Sequence, residues 1–443
     1  MLSNLIDKLT PGLRRILGNT GWLMVDRIVR MGLGVVVGVW VARYLGPAQF
    51  GTLSFALSFV ALFGTLTTLG LESIVPRNII RESAETQQIL GTAFVLRIGG
   101  SILAPLLAAW TIRLIQPNDA TAFWLVALLS VGFVFQAFDT IDSYFQAHVQ
   151  SKLTVWAKNA AFLCASALRI LLICLRAPLW SFAAAQVAEL ALGAAAMVIV
   201  YEWNGGRLSS WRPQKWRAIQ LLKQSWPIML SGMAIMIYMR IDMVMLKLMQ
   251  GDDAVGMYAT ATRISEVWYF IPTAIVSSVS PAIIRVKDNP AVYYGRIGKL
   301  FSLMTLIAVV IGSGIALSAP WIIHTLYSDQ FSAAAPVLAV HIWASVFVFL
   351  GIAQGPWNIS EDLMKLGLYR TLAGAATNIL LNLLLIPVYS AMGAAIATVI
   401  SYAIAGIFAN AFDARTRPIF LLQLKSFIPS KLWKPISSSN DPQ

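Results

Sequence analysis

The sequence predicts an all-α polytopic membrane protein, with about twelve transmembrane helices in two six-helix lobes. Three observations carry that expectation. Hydrophobic residues make up 58% of the chain and charged residues only 12%, where soluble proteins carry about 25% charged residues; mean hydropathy is +0.71. Apolar runs of roughly 20 residues, the length that crosses a hydrocarbon core, recur along all 443 residues. The second half of the chain also repeats features of the first.

Taken in order, the runs place helices near 20–42, 49–73, 88–113, 121–146, 152–175 and 180–203, then 222–248, 256–283, 298–320, 334–355, 367–388 and 391–412. The longest polar connection, "NGGRLSSWRPQKWRAIQ", separates the sixth from the seventh. The expected division is therefore an N-terminal lobe over 1–203, a linker over 204–221, a C-terminal lobe over 222–412 and a tail over 413–443. The tail ends "KPISSSNDPQ" and reads as disordered and dispensable for transport. The start, "MLSNLIDKLTPGLRRILGN", lacks an apolar core followed by a small-residue cleavage site, so no removable signal peptide is expected.

The repeat is sharpest at two turns. "LGPAQFG" after the first helix has its counterpart in "MQGDDAVG" after the seventh, and an offset of 205 pairs Gly46, Gly51, Ser73 and Pro76 with Gly251, Gly256, Ser278 and Pro281. A later offset of 213 pairs Lys152 and Gly193 with Lys365 and Gly406. Six helices per half is an even number, so both copies enter the membrane from the same side, related by an axis along its normal. Transporters built this way rock two lobes around a site between them.

The net charge of +13 reports topology. Arg14, Arg15, Arg77, Arg81, Lys152, Arg212, Arg217, Arg285 and Lys365 fall on one set of connections, and only Arg43, Arg113, Arg176 and Lys247 on the other. The positive-inside rule then puts both termini in the cytoplasm. No face collects the basic residues, which excludes nucleic acid as a partner. Trp40, Trp110, Trp124, Trp180, Trp203, Trp226 and Trp321 fall near helix ends, as interfacial anchors do. Cys164 and Cys174 read as packing residues, and His148 and His341 as interfacial or packing residues rather than switches.

Charges inside the spans are the candidates for function. Each costs about 2.5–3.5 kcal/mol at a helix centre on the insertion scale, so each must face a cavity or another charge. Within "DRIVR", Asp26 and Arg30 are four apart and can pair, which leaves Arg27 as the freer cation. Arg97 and Arg169 have no acidic residue on their own helical face. Arg240 and Asp242 lie on different faces of one helix, while Arg263 and Glu266, three apart, can pair. Arginine offers a permanently charged planar fork suited to phosphate, so Arg27, Arg30, Arg97, Arg169, Arg240 and Arg263 are candidate ligands for an anionic headgroup. Asp26, Glu189, Asp242 and Glu266 are candidates for pairing or for coupling to an H+ or Na+ gradient. Asp139 and Asp142 stand near the end of the fourth helix. Asn378 and Asn382, four apart, either bond sugar hydroxyls or bridge helices. There is no GxxxxGK[ST] loop, no HExxH and no CxxC. ATP hydrolysis, a resident metal, a cofactor and an enzymatic reaction are therefore not expected.

"VARYLGPAQFGTLSFALSFVALFGTLTTLGLESIVPRNIIRE", residues 41–82, resembles the start of the polysaccharide-export flippases of the Wzx type. The likeness lies in its arginine-containing helix end, "LGP..FG" turn, "LGL" and "R..IRE" entry. Their superfamily also holds multidrug and toxin extruders (the MATE-like fold) and lipid II flippases. The resemblance implies a multi-pass protein of the bacterial inner membrane. It would move an undecaprenyl-pyrophosphate-linked oligosaccharide (O-antigen, capsule or exopolysaccharide) from the cytoplasmic to the periplasmic leaflet by alternating access. Its partners would be membrane lipids and the glycosyltransferases and polymerase of the same pathway. In such proteins basic cavity residues meet the pyrophosphate, a role that Arg27, Arg30 and Arg240 fit by position. A drug or cation extruder of the same fold and a non-transporting scaffold for glycan assembly are the rival readings.

Overall fold

The structure is a computed structural model that describes the backbone of residues 11–428 and the side chains of residues 30–428. Among the described residues all regular elements are helical, and ten stretches are long and apolar enough to cross a membrane. Two of those stretches are double. Arg30–Arg81 has 52 residues and Met364–Ala411 has 48. At 1.5 Å per residue each would run over about 70 Å, twice a bilayer core. Each is broken where it must be. In α1 (Pro11–Thr68) the break is Gly46, at φ 72° and ψ 172°. In α15 (Met364–Gly406) it is Ser390, at φ 51° and ψ −132°. The ten stretches are thus the twelve expected helices, and the all-α, two-lobed membrane architecture is as the sequence predicts.

By contacts the chain divides into two compact units: residues 1–259 with 326–331, and 260–325 with 332–443. The division falls at Ala259 rather than in the 204–221 connection. Its cause lies in α8 (Lys215–Gln250), which packs along α1 within the first unit. The 204–221 stretch is itself docked rather than loose. Arg212 N donates to Gln87 O at 3.1 Å, and Gln214 N donates to Thr92 Oγ1 at 3.0 Å. Arg217 is fully buried against Glu82 and Glu85, its Nη1 2.6 Å from Glu82 Oε2.

In the first unit α1 is the axis, contacting α3 (Thr86–Ile115), α4 (Ala120–Gln136), α6 (Ser151–Cys174) and α8. Its turn packs against the turn that opens α9 (Asp252–Glu266). Gly251, at φ 86° and ψ −171°, adopts nearly the conformation of Gly46, a region essentially reserved for glycine. A Cβ on Gly51 would sit 1.9 Å from Asp252 O, and one on Gly256 would sit 2.2 Å from Pro47 O. The repeated glycines therefore let two backbones touch reciprocally. Beside them Lys247 Nζ bridges Asp252 at 2.6 Å and Asp119 at 3.0 Å. Burial alone would push the Asp119 carboxyl up, but the Ala122 N–H and the Lys247 ammonium hold it below its ordinary range. Its contribution is therefore present at neutral pH and lost as pH falls through that lowered value.

The second unit is built around α11 (Pro290–Tyr327) and α13 (Ala344–Ala353), with Phe301, Met304, Phe349 and Trp357 in its core. Part of the expected disordered tail belongs to this core. α16 (Arg417–Lys425) buries Ile419 and Gln423. Gln423 Nε2 donates to Gly406 O at 3.0 Å, and its Oε1 accepts from Asn410 Nδ2 at 3.0 Å. Asn410 also donates to Gln354 Oε1 at 3.0 Å. The disorder expected from 413 onward is thus corrected for 417–425, because three buried amides complete one another only when this helix is docked. Residues 429–443 lie outside the described residues. The expected packing role of Cys164 and Cys174 is also corrected, since both are free and exposed.

Two stability experiments follow from this. Gly251→Ala meets no neighbour within 4 Å and tests backbone strain alone, whereas Gly51→Ala, at a glycine of ordinary helical φ, tests the backbone clash alone. We expect losses of about 1–3 kcal/mol for the first and more for the second, with Gly295→Ala, in open helix, neutral. Thermal unfolding of the purified protein in detergent reads all three. Gln423→Leu leaves buried amides unpaired and should cost about 1–3 kcal/mol; an unchanged melting temperature would show that α16 is not held by this network.

Candidate functional site

Four charged residues of the first unit, Arg30, Asp139, Lys158 and Glu189, line a cavity of about 200 Å³ together with Gln136 and Leu190. Local structure explains the convergence. A 3₁₀ turn over Ala137–Asp139 leads into α5 (Thr140–Ala147), so Asp139 and Asp142, three apart, point to one side. Both meet Lys158 Nζ, at 2.8 and 3.0 Å. Arg30 donates through Nη2 to Lys158 O at 2.5 Å and through Nε to Asn159 Oδ1 at 3.1 Å. Its guanidinium lies 5.4 Å from the centre of the Phe162 ring. Further along α6, Arg169 Nη2 donates to Glu189 Oε2 at 2.7 Å and to Gln186 Oε1 at 2.9 Å, both acceptors on α7 (Leu179–Trp203).

Three cations, Arg30, Lys158 and Arg169, thus stand against three carboxylates, Asp139, Asp142 and Glu189. Such a set lowers the cost of placing charge in a span, and two of its cations, Arg30 and Lys158, line the cavity. A larger cavity of about 520 Å³ adjoins it and shares Gln136 and Leu190 as wall. Its lining is mostly apolar, from α1, α4, α7 and α8, with Thr65, Thr68, Glu72 and Gln186 as polar groups.

The other candidates are placed as follows. Asp26 and Arg27 fall where side chains lie outside the described residues. Arg97 is 1% exposed, and its Nε and Nη2 have no hydrogen-bond partner; Asp139, Glu72 and Asp142 are the carboxylates whose field reaches it. Arg169 and Glu189, each read from the sequence as lacking a partner on its own helical face, pair with one another across two helices. Asp242 is buried and accepts from Tyr258 Oη at 2.6 Å, and Arg240 is half-buried two residues before it. Arg263 and Glu266 are half-buried on α9, in the second unit. Asn378 and Asn382, also in the second unit, are fully buried. Asn382 Nδ2 donates to Asn378 Oδ1 at 3.1 Å, and Asn378 Nδ2 donates to Ser401 Oγ at 3.3 Å. They bridge the two arms of α15, which is the helix-bridging alternative.

Lys158 is the site residue that sequence reasoning missed. Its signal was indirect: Asp139 and Asp142 have no basic residue on their own helical face, so the neighbouring helix had to supply one. Gln136 and Gln186 carried no signal, because a single amide in an apolar run is common.

A helical membrane protein with a balanced set of charges inside its spans is the class defined by this geometry. Residues 16–287 match the family model described as polysaccharide biosynthesis protein, and the chain belongs to that family. It is 27% identical over 226 residues to the probable flippase AglR of Haloferax volcanii, a match covering 47% of this chain and 44% of AglR; the matched stretch thus spans under half of that relative. It is 21% identical over 398 residues to the probable low-salt glycan biosynthesis flippase Agl15 of the same organism, covering 86% of this chain and 80% of Agl15. Among solved structures the lipid II flippase MurJ, in an inward closed conformation, superposes with a TM-score of 0.72 at 13% identity, over 91% of this chain and 90% of MurJ. The fold is therefore that of the exporter superfamily that the 41–82 motif suggests, MATE-like transporters included.

The Arg169–Glu189 pair separates structure from function. Arg169→Leu strands a carboxylate and should cost about 3–5 kcal/mol, whereas Arg169→Leu with Glu189→Leu should be near neutral in stability. Thermal unfolding of both variants checks the first expectation. A stable double variant that has lost transport would assign the pair a role beyond packing.

Proposed function

We propose that the protein is a flippase for an undecaprenyl-pyrophosphate-linked oligosaccharide of O-antigen, capsule or exopolysaccharide assembly. It moves this substrate from the cytoplasmic to the periplasmic leaflet by alternating access. The observation that carries the reading is the pair of cations Arg30 and Lys158 lining a cavity inside the spans of a polysaccharide biosynthesis family member. Guanidinium and ammonium donors beside open volume suit a pyrophosphate, and Arg30 offers the planar fork. The flippase name of AglR and the glycan biosynthesis flippase name of Agl15 support the same reading, and the fold is one that the lipid II flippase MurJ also has. Both termini lie in the cytoplasm of a bacterial inner membrane on this reading, following the distribution of Lys and Arg.

The carboxylates give the reading a coupling route. An anion that takes Lys158 from Asp139 and Asp142 leaves both carboxylates without their cation, which sets them beside Glu189 as candidates for coupling to H+ or Na+. The balanced charge count also keeps a cation extruder of the same fold as a second reading, with these carboxylates as its ligands.

Deletion of the gene should make a lipid-linked oligosaccharide accumulate on the inner leaflet. Arg30→Ala at normal expression should reproduce that accumulation, and Arg30→Lys, which keeps the charge and loses the fork, should do so in part. Normal glycan export with Arg30→Ala overturns the anionic-site reading, and drug efflux by the wild-type protein would favour the extruder.

A further inference from the structure

The 520 Å³ cavity beside the charged one is walled mostly by apolar side chains. Gln136, at its shared wall, and Thr65, Thr68, Glu72 and Gln186 are its polar groups. The rest of the lining includes Leu57, Val60, Ile235 and Met236. The register is helical on every wall: Leu57, Val60, Ala61, Gly64 and Thr68 form one stripe of α1, and Ile228, Gly232, Ile235 and Met236 one stripe of α8. A free glycan would leave most of this wall unmatched, because sugar hydroxyls need polar partners throughout. Anion alone would leave it empty. The ligand that fits both volumes at once has an anionic head bonded directly to branched hydrocarbon.

We propose that this chamber is the subsite for the first isoprene units of a polyprenyl pyrophosphate, seated beside the pyrophosphate while the rest of the tail stays in lipid. The proposal rests on the flippase reading and adds to it that the protein recognises the lipid carrier as well as its head. Methionine at the wall, Met229 and Met236, adapts to either geometry of the isoprene double bonds. The size lies within the range of small-molecule pockets, about 300–1,000 Å³. Gly232 keeps the volume open, since a Cβ there would meet Thr65 Cγ2 at 3.2 Å.

The full-length protein in lipid nanodiscs is titrated with farnesyl pyrophosphate and with inorganic pyrophosphate. Wild type should bind the farnesyl compound at least about tenfold more tightly, a difference of about 1.4 kcal/mol. Gly232→Leu, which fills the chamber, and Ile235→Gln, at a 41% exposed wall position where folding is not at stake, should bring that ratio towards one without weakening inorganic pyrophosphate. Both variants sit in the same nanodiscs, so simple partitioning of farnesyl chains into lipid cancels in the comparison. Equal binding of the two anions by wild type, or a ratio unchanged in both variants, overturns the chamber assignment while Arg30-dependent anion binding leaves the flippase reading standing. Tighter binding of glucose 1-phosphate than of farnesyl pyrophosphate assigns the chamber to the glycan and also overturns it. Failure of wild type to bind either pyrophosphate overturns both readings together.

Discussion

The contact on which the first unit depends is backbone against backbone, where Gly51 lies on the Asp252 carbonyl and Gly256 on that of Pro47. Neither approach tolerates a Cβ, and both need the chain to reverse within a residue at Gly46 and Gly251. Because these positions are 205 apart in both pairs, the repeat in the sequence becomes a reciprocal contact in the structure. A hydrophobic pair could slide by a rotamer; two backbones cannot. The α1–α8 packing therefore has one register, and that register fixes which stripes of α1 and α8 wall the larger cavity.

Charge in the spans obeys a different rule from charge at their ends. At the ends its distribution reads as topology, and some of it, as at Arg217 and Lys247, is buried in ion pairs that dock one segment on another. Within the first unit each described carboxylate of the cluster has a cation within 3.0 Å, and Arg97 is the exception, with donors that meet no acceptor. An uncompensated buried guanidinium is among the most expensive groups a protein can hold.

How much was legible in the sequence follows from the range of each interaction. Helix number and the special turns are written in local composition and in glycine spacing, and both survive into the structure. The breaks that make two helices of one long stretch are equally local, since Gly46 precedes Pro47. Pairings across helices are invisible to spacing on one helix, which is why Arg169 and Glu189 read as unpaired and Lys158 was passed over. The docked α16 was missed for the same reason. Its exposed polar and charged residues resemble a tail, and only the distant partners Gln354, Asn410 and Gly406 reveal that Gln423 belongs to a core.

Both glycine turns of the repeat lie in the first unit, and the two units differ in the chemistry of their polar contacts. In the first, Lys158, Arg169 and their carboxylates make ionic contacts beside open volume. In the second, Asn378, Asn382 and Ser401 tie the arms of α15 through neutral amides and a hydroxyl, and Gln354, Asn410 and Gln423 do the same at α16. A partner lost from the ionic set leaves a charge uncompensated, whereas a partner lost from an amide network leaves only a neutral dipole, so the first unit is the more sensitive of the two to substitution of a single polar side chain.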